Sequence, residues 1–530
     1  MRWLRPSHSH SALSATVLLS VFALLSRIVG LVRDKYIAYI FGAGPSTDAY
    51  NVAFQLPELI NYLLIGGAAS ISFVTILSRY REAGEHEEGD RALSVILNTM
   101  LLILGGAILL AEFLVPAYTR LFFAGDARQT ALCTVMTRIL LPGQIFFFAG
   151  GVLASVSLVR KQFAYQAVSP LVYTLGIITG GVLLHRYIGI PSLAWGALVG
   201  AFAGPFLINA VAARRAGVRY QAVLDFSNPG LRAWVRMSVP LMLGVTVVFM
   251  DSYILTWFAK HSVGDISRLM YAKRLFTAPM AIIGQAAGAA SLPFFASLHS
   301  SGRFADFSSA VNRSVSRILA ASLVLTAGMF ALARPLVDLI FRGGSFNHAD
   351  AEITARYFAI FSISLALWAS QAIYSRAFFA AGETVPPMIA GSIITVLSLP
   401  IYWGLHRRFG VQGLAWASNL AILVHTTTLA VLAHRRGLVP LFTAGEVAHG
   451  AGLDLREIVR SVLSALAGLA AVTLLLRFLP HGSRGHETYT LDLLTLALGG
   501  MTWAGVTAGA LYVTGSTLLE QVRVRRSGAR

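Results

Sequence analysis

The chain has 530 residues, of which 56% are hydrophobic and only 12% are charged, and its formal net charge is +18. With a mean hydropathy of +0.68, this composition excludes an ordinary soluble domain. It predicts an all-α polytopic membrane protein, because apolar stretches of about 18 residues or more recur from end to end. Alternating strands of about ten residues are absent, which argues against an outer-membrane barrel.

The hydrophobic pattern predicts fourteen transmembrane helices, arranged as two pseudo-symmetric six-helix lobes around a central cavity and two further C-terminal helices. The N-terminal segment begins like a signal peptide, basic and then apolar. No small-residue cleavage site follows it, so we expect a retained first span. The predicted spans cover residues 13–40, 48–78, 92–119, 130–159, 166–186, 191–213, 232–259, 266–298, 308–333, 351–380, 386–405, 411–434, 457–479 and 491–518.

The first span carries charges inside its apolar sequence. Arg27 and Asp34 share one helix face, and Arg33 lies about 100° round the helix from Asp34. A charge at bilayer depth costs about 2.5–3.5 kcal/mol, so such residues usually face a bundle interior or a watery cavity. We predict that an anionic group binds between Arg27 and Arg33, and that Asp34 orients an arginine or offsets its charge. The alternative is that Arg33, Asp34 and Lys35 merely end the helix at the interface.

The second span contributes two more candidates. Asp48, in the helix start STDAY, is either a cavity residue or a first-turn acid favoured by the helix dipole. Asn61, with Glu58, is a weaker candidate for the lining of the same cavity.

The seventh and eighth spans carry the candidates of the second lobe. Lys273 and Arg274, in MYAKRLFTAP, would complete a cationic cavity that suits a diphosphate, because arginine binds phosphate in bidentate geometry. The alternative is a pair that extends to the membrane interface. Asp251 is isolated in apolar sequence and is either a coupling-ion ligand or proton carrier, or one side of a salt bridge to a neighbouring arginine.

Loop charge and an internal repeat predict the topology. One set of connections carries about twice the Arg and Lys of the other, so both termini are expected in the cytoplasm. The segment LAWGALVG from Leu193 resembles LAWASNLA from Leu414, and other pairs of similar segments occur at similar offsets. An even number of spans separates the copies, as in transporters built from parallel repeats. The predicted organisation is an N-lobe at 1–215, a cytoplasmic amphipathic linker at 216–236, a C-lobe at 237–437 and a C-terminal region at 438–530.

The motifs of common enzyme and metal sites are absent. The sequence contains no HExxH, P-loop, GxSxG or CxxC pattern, and a single cysteine, Cys133, excludes an intrachain disulfide. We therefore expect no enzyme, no cofactor and no metal. The basic residues lie between apolar segments, where they set topology, so we expect no nucleic-acid partner.

The segment RIVGLVRDKYIAYIFGAGPSTDAYNVAFQLPELI resembles the first two helices of the MurJ/MviN family of lipid II flippases, in the multidrug/oligosaccharidyl-lipid/polysaccharide exporter superfamily. The resemblance resumes at YAKRLFTAPMAIIGQAAGAASLPFFASL, SRAFFAAGETVPP and GLAWASNLA. It implies a V-shaped, two-lobed fold with a cationic cavity, and a groove for the lipid tail formed by the last two helices. The family's cavity arginines fall on Arg27, Arg33 and Arg274, and its acids on Asp34 and Asp48.

The chain departs from the family pattern at several positions. Asn61 and Gln55 stand where basic residues are usual, and Gly66 stands where Glu is usual. Acids are common at the positions of Lys273 and Thr277. In some members an Asn on the eleventh helix supplies part of a sodium site, whereas here that helix reads SIITVLSLPIYW.

The resemblance implies a flippase that moves lipid II, or a similar polyprenyl-diphosphate glycan, across the bacterial cytoplasmic (inner) membrane for peptidoglycan and cell-wall synthesis. The expected partners are membrane lipids and, as candidates, peptidoglycan synthases, and the expected state is a monomer. The alternatives are an exporter of another lipid-linked oligosaccharide and a non-transporting scaffold of envelope synthesis.

Overall fold

The computed structural model describes residues 12–64, 67–242, 247–440, 453–479 and 489–518. These residues are mostly helical, and within them the only β-structure is an isolated bridge between Gly343 and Phe346. The predicted all-α class is confirmed. The chain divides between Gly244 and Val245 into two compact units, called unit 1 and unit 2 below. Gly66, the first eleven residues and the basic tail lie outside the described residues.

Unit 1 is built from helices joined by short connections. Its helices are α1 (Ala12–Phe41), α2 (Pro45–Leu64), α3 (Gly67–Glu82), α4 (His86–Phe123), α5 (Ala127–Leu140), α6 (Gly143–Val159), α7 (Phe163–Ile188), α8 (Pro191–Ala201), α9 (Asn209–Arg215) and α10 (Pro229–Met242). A π-helical segment, Phe202–Ile208, contains Pro205 and joins α8 to α9. The core packs α4 against α3, α6 and α10 through buried side chains such as Leu93, Phe148 and Trp234.

The connection between α9 and α10 lies along α4. The Asn98 side chain donates to the carbonyl oxygens of Gln221 and Val223, both at 2.9 Å, and accepts from the Tyr220 hydroxyl at 2.7 Å. Helix α10 begins at Pro229, where the Asn228 side chain accepts a hydrogen bond from the Gly230 N–H at 2.9 Å. These bonds replace the regular backbone pairing that a non-helical segment lacks.

Helices α7 and α8 approach each other backbone to backbone. Gly176 and Gly180 on α7 face Gly196 and Gly200 on α8, and a Cβ on Gly196 would lie 2.5 Å from the Gly176 carbonyl oxygen. Small residues four positions apart on both helices permit this approach, as in other membrane helix pairs. The pair places Tyr173 of α7 beside α8, at the cavity described below.

Unit 2 is also built from helices. Its helices are α11 (Val247–Ala259), α12 (Asp265–Met280), α13 (Ala286–Ser300), α14 (Phe304–Ala331), α15 (Ala333–Phe341), α16 (His348–Ile363), α17 (Leu365–Ala380), α18 (Val385–Arg435), α19 (Leu455–Phe478) and α20 (Tyr489–Val513). A π-helical segment, Ala281–Gln285, joins α12 to α13. Helix α18 has two arms, because Gly410 inside it has non-helical angles, φ 60° and ψ −150°. The break lies between the spans predicted at 386–405 and 411–434.

Polar contacts at helix ends hold the two C-terminal helices to each other and to the end of α15. The Arg342 guanidinium donates to Asp492 Oδ2 at 2.5 Å, in the first turn of α20. Glu457, in the first turn of α19, accepts from the Ser516 hydroxyl and from the Thr517 N–H. Between these ends, the Trp503 ring lies on Gly328 of α14, where a side chain would collide with it.

Eight helices of the described residues are long and apolar enough to cross a membrane, or nine if the bent pair α16 and α17 is one span. The count of fourteen is therefore not confirmed. Several predicted spans are divided in the structure. The eighth span, predicted at 266–298, comprises α12, the π-helical segment and α13.

Candidate functional site

The charged end of α1 is organised by an ion pair between sequence neighbours. Nε and Nη2 of Arg33 donate to Asp34 Oδ1 at 3.0 and 2.9 Å. The Arg33 side chain is 21% exposed and that of Asp34 only 4%. Asp34 therefore offsets the charge of Arg33. The sequence alone did not show which arginine would be its partner. Arg27 lies nearly two turns earlier, is exposed, and makes no ion pair within the described residues.

The turn between α1 and α2 buries Asp48. Gly42 has a positive φ of 69°, and the Gly44 N–H donates to Thr47 Oγ1 at 2.9 Å. The Gln129 amide of α5 donates to the Pro45 carbonyl oxygen at 3.0 Å. Asp48 lies in the first turn of α2 and is 2% exposed. Its position fits the helix-dipole alternative, and its role in binding stays a prediction.

A cavity of about 230 Å³ lies within unit 1, between α2, α5, α6, α7 and α8. Glu58 and Asn61 of α2 both line it, together with Gln144 and Tyr173, which sequence reasoning missed. Asn61 donates to Gln144 Oε1 at 2.9 Å. Tyr173 lies within electrostatic range of both Arg33 and Glu58, so this cavity, called the unit 1 cavity below, adjoins the charged end of α1. Its apolar walls include Phe54 and Phe147.

The candidates of unit 2 separate into two environments. Lys273 is buried, at 8% exposure, whereas its neighbour Arg274 is only partly buried. The Lys273 ammonium forms an ion pair with Asp251. The structure therefore contains the salt bridge that was the alternative for Asp251, but its partner is Lys273 and not the expected arginine. A role of Lys273 and Arg274 in substrate binding stays a prediction.

Two further groups complete the surroundings of Asp251. The Tyr402 hydroxyl donates to Asp251 Oδ1, and the Ser418 hydroxyl donates to Oδ2 at 3.0 Å. Tyr402 and Ser418 lie on the two arms of α18, either side of Gly410. We call Asp251, Lys273, Tyr402 and Ser418 the Asp251 cluster. The sequence analysis missed Tyr402 and Ser418. Their only signal in the sequence is that they are polar residues inside apolar helices, and no motif distinguishes them from other such residues.

A family model described as lipid II flippase MurJ matches residues 37–490, which include most of both units. The chain belongs to the MurJ family of lipid II flippases. A flippase is a transporter, in agreement with the prediction that the chain is not an enzyme. Members of this family are multi-pass membrane proteins, as the sequence predicted.

A curated MurJ relative and a solved MurJ structure each align with nearly the whole chain. A probable lipid II flippase MurJ from Bdellovibrio bacteriovorus is 25% identical over 535 residues, which cover 97% of this chain and 97% of that protein. A solved structure described as lipid II flippase MurJ in an inward closed conformation matches with a TM-score of 0.76 at 20% identity, over 94% of this chain and 99% of that one.

The wider superfamily shares the fold. An inward-facing multidrug resistance MATE family transporter of the MOP superfamily matches with a TM-score of 0.65 at 14% identity. That match covers 80% of this chain and 98% of the transporter. The predicted superfamily fold is confirmed.

Proposed function

We propose that this chain flips lipid II from the inner to the outer leaflet of the cytoplasmic membrane by alternating access, for peptidoglycan synthesis. The observation that carries the proposal is the family match across residues 37–490. The unit 1 cavity and the partly exposed Arg33 beside it supply chemistry that suits a diphosphate-linked glycan.

The diphosphate binds to arginine in this proposal. Guanidinium groups stay charged at any relevant pH and bind phosphate oxygens in pairs. Arg33 is held by Asp34 while the site is empty, and a diphosphate competes with Asp34 for the same N–H groups. The sequence resemblance is the basis for proposing that Arg27 and Arg274 also bind the substrate. The amides of Asn61 and Gln144 and the Tyr173 hydroxyl are available to sugar and peptide groups.

The transport cycle follows from charge. The anionic head group enters from the cytoplasm and neutralises cationic side chains, which favours closure on that side, and its polyprenyl tail stays in lipid. Opening to the other side releases it. The membrane potential biases any net charge that moves, by about 2.3 kcal/mol per charge per 100 mV.

The remaining parts of the proposal concern orientation and partners. Basic connections and the basic tail place both termini in the cytoplasm. The substrate is lipid II or a similar polyprenyl-diphosphate glycan, the chain acts as a monomer, and peptidoglycan synthases are candidate partners.

The test combines growth and flipping. The gene should restore growth to bacteria depleted of their own lipid II flippase, and the purified protein should move fluorescent lipid II in proteoliposomes. Arg33→Ala should abolish both. Arg303→Ala is the matched control, because Arg303 is 62% exposed and, among the residues that the structure describes, its ion pair is with Asp306 at a surface.

Because Arg33→Ala takes this cationic partner away from the buried Asp34 carboxylate, the neutral pair Arg33→Gln with Asp34→Asn is tested beside it. It should fold and still fail to flip. Full activity of this double variant would remove Arg33 from the mechanism. Absence of flipping by the parent protein would refute the proposed function.

A further inference from the structure

The Asp251 cluster without its lysine has the composition of a cation site. One carboxylate and two hydroxyl groups converge from α11 and from both arms of α18. Hydroxyl groups can turn their lone pairs toward a cation, and oxygen ligands are those that hard cations prefer.

The chain's own lysine takes the place of a free cation in this cluster. The Lys273 ammonium contacts Asp251 Oδ2, and the two side chains are only 10% and 1% exposed. On another side the ammonium lies 5.9 Å from the centre of the Trp368 ring, which also favours a positive charge. The cluster is therefore neutral overall without any ion from solution.

Capping does not account for this carboxylate. Among the buried acids of unit 2 that the structure describes, Asp350 and Glu457 lie in first turns and accept backbone N–H groups. Asp338 and Asp492 lie near helix ends and pair with arginine. Asp251 is not in a first turn, so its burial requires a cation close by.

We propose that Lys273 is a tethered cation that permanently occupies the Asp251 site, so that this chain binds no sodium or other free monovalent cation there during transport. The part of this inference that concerns transport rests on the proposed function, but ion binding can be measured independently of lipid II flipping. The first arm of α18, which corresponds to the eleventh predicted span, contains no Asn and contributes the Tyr402 hydroxyl instead, in agreement with the proposal.

The test measures thermal unfolding of the purified, detergent-solubilised protein at constant ionic strength. N-methyl-D-glucamine chloride is exchanged for sodium chloride or ethylammonium chloride. The parent protein should show no saturable shift. Lys273→Ala vacates both the space and the charge, so either cation should raise its Tm by about 1–2 °C at tenfold excess over Kd. Adding Asp251→Asn to Lys273→Ala should remove that shift.

Two results would overturn the proposal. One is a saturable sodium shift in the parent protein that Asp251→Asn abolishes. The other is a folded Lys273→Ala variant that neither cation stabilises, because Lys273 would then be only a packed salt-bridge partner.

If Lys273→Ala does not fold, equilibrium binding of radioactive sodium to the parent protein decides. If the parent protein binds no more sodium than Asp251→Asn does, the tethered-cation proposal is supported. If the parent protein binds one sodium ion per chain and this binding depends on Asp251, the proposal is refuted. In proteoliposomes, flipping should be equal within twofold with and without a sodium gradient. Complete absence of flipping would count against the proposed function and would leave the ion-binding result standing.

Discussion

Gly189 and Gly410 lie 221 positions apart and share one backbone conformation, with φ 68° and ψ −144° at the first and φ 60° and ψ −150° at the second. Gly189 joins α7 to α8, and Gly410 joins the two arms of α18. The segments LAWGALVG and LAWASNLA begin four residues after them. The sequence repeat is therefore accompanied by a repeat of backbone geometry.

A histidine precedes each of these glycines by four residues and lies beside an aromatic ring. His185 of α7 lies 3.3 Å from the Tyr36 hydroxyl of α1. His406, 221 positions after His185, lies 6.3 Å from the Phe258 ring of α11, measured between ring centres. In each unit an early helix thus packs through an aromatic ring against a histidine that precedes the glycine turn.

The shared turn predicts a glycine requirement. Gly410→Ala should destabilise the protein by about 1–3 kcal/mol, because its backbone conformation is nearly exclusive to glycine. No neighbour lies within 4 Å of the position a Cβ would take, so the cost is conformational and not steric. Thermal unfolding in detergent measures it.

Gly404→Ala is the control for this substitution, since Gly404 is helical and equally unhindered. It should be neutral or stabilising by about 0.5–1 kcal/mol. Equal melting temperatures for the two variants would contradict the assigned strain at Gly410.

The close approach of α7 and α8 predicts a steric requirement instead. Gly196→Ala should destabilise unit 1 by about 1–3 kcal/mol, because its Cβ would lie 2.5 Å from the Gly176 carbonyl oxygen. The variant should also flip more slowly, since α7 and α8 form two walls of the unit 1 cavity. Gly106→Ala on α4, which meets nothing within 4 Å, should melt no lower than the parent protein. Unchanged melting of Gly196→Ala would mean that the helices can separate at little cost.

Much of the fold could be predicted from the sequence, because long apolar segments leave few alternatives to helices in a membrane. The break at residue 410 also followed from hydropathy. The partners of the charged residues could not be predicted. Helical spacing placed Arg27 and Asp34 on one face, whereas in the structure the long Arg33 side chain bends round the helix and pairs with Asp34. The pairing of Lys273 with Asp251 depends on how α11 packs against α12, for which a helix wheel contains no information.

The Arg33–Asp34 pair predicts non-additive stability. Arg33→Ala should destabilise the protein by about 1–3 kcal/mol, because it leaves the 4% exposed Asp34 carboxylate without this partner. Adding Asp34→Ala should recover a large part of that loss. A double-mutant cycle on melting free energies measures the coupling. Purely additive effects would show that the pair contributes nothing to folding, and Asp34 would then have no role in holding Arg33.

The Tyr402 hydroxyl predicts a charge-assisted hydrogen bond to Asp251. Tyr402→Phe keeps the ring stacked on Phe258, 6.2 Å away between ring centres, but removes the donor to Oδ1. Destabilisation should be about 1.5–3 kcal/mol, as expected for a bond to a charged group. Tyr374→Phe is the matched control, because Tyr374 is also buried, at 3% exposure, and the structure describes no hydrogen bond of its hydroxyl.

The charge on Asp251 gives a second readout for the same bond. In an Asp251→Asn background the cost of Tyr402→Phe should fall to about half, because hydrogen bonds to ionised acceptors are roughly twice as strong as neutral ones. Thermal unfolding of the four proteins of this cycle measures the difference. An undiminished cost in the Asn background would mean that Tyr402 acts through packing, and that Asp251 carries no charge in the folded protein.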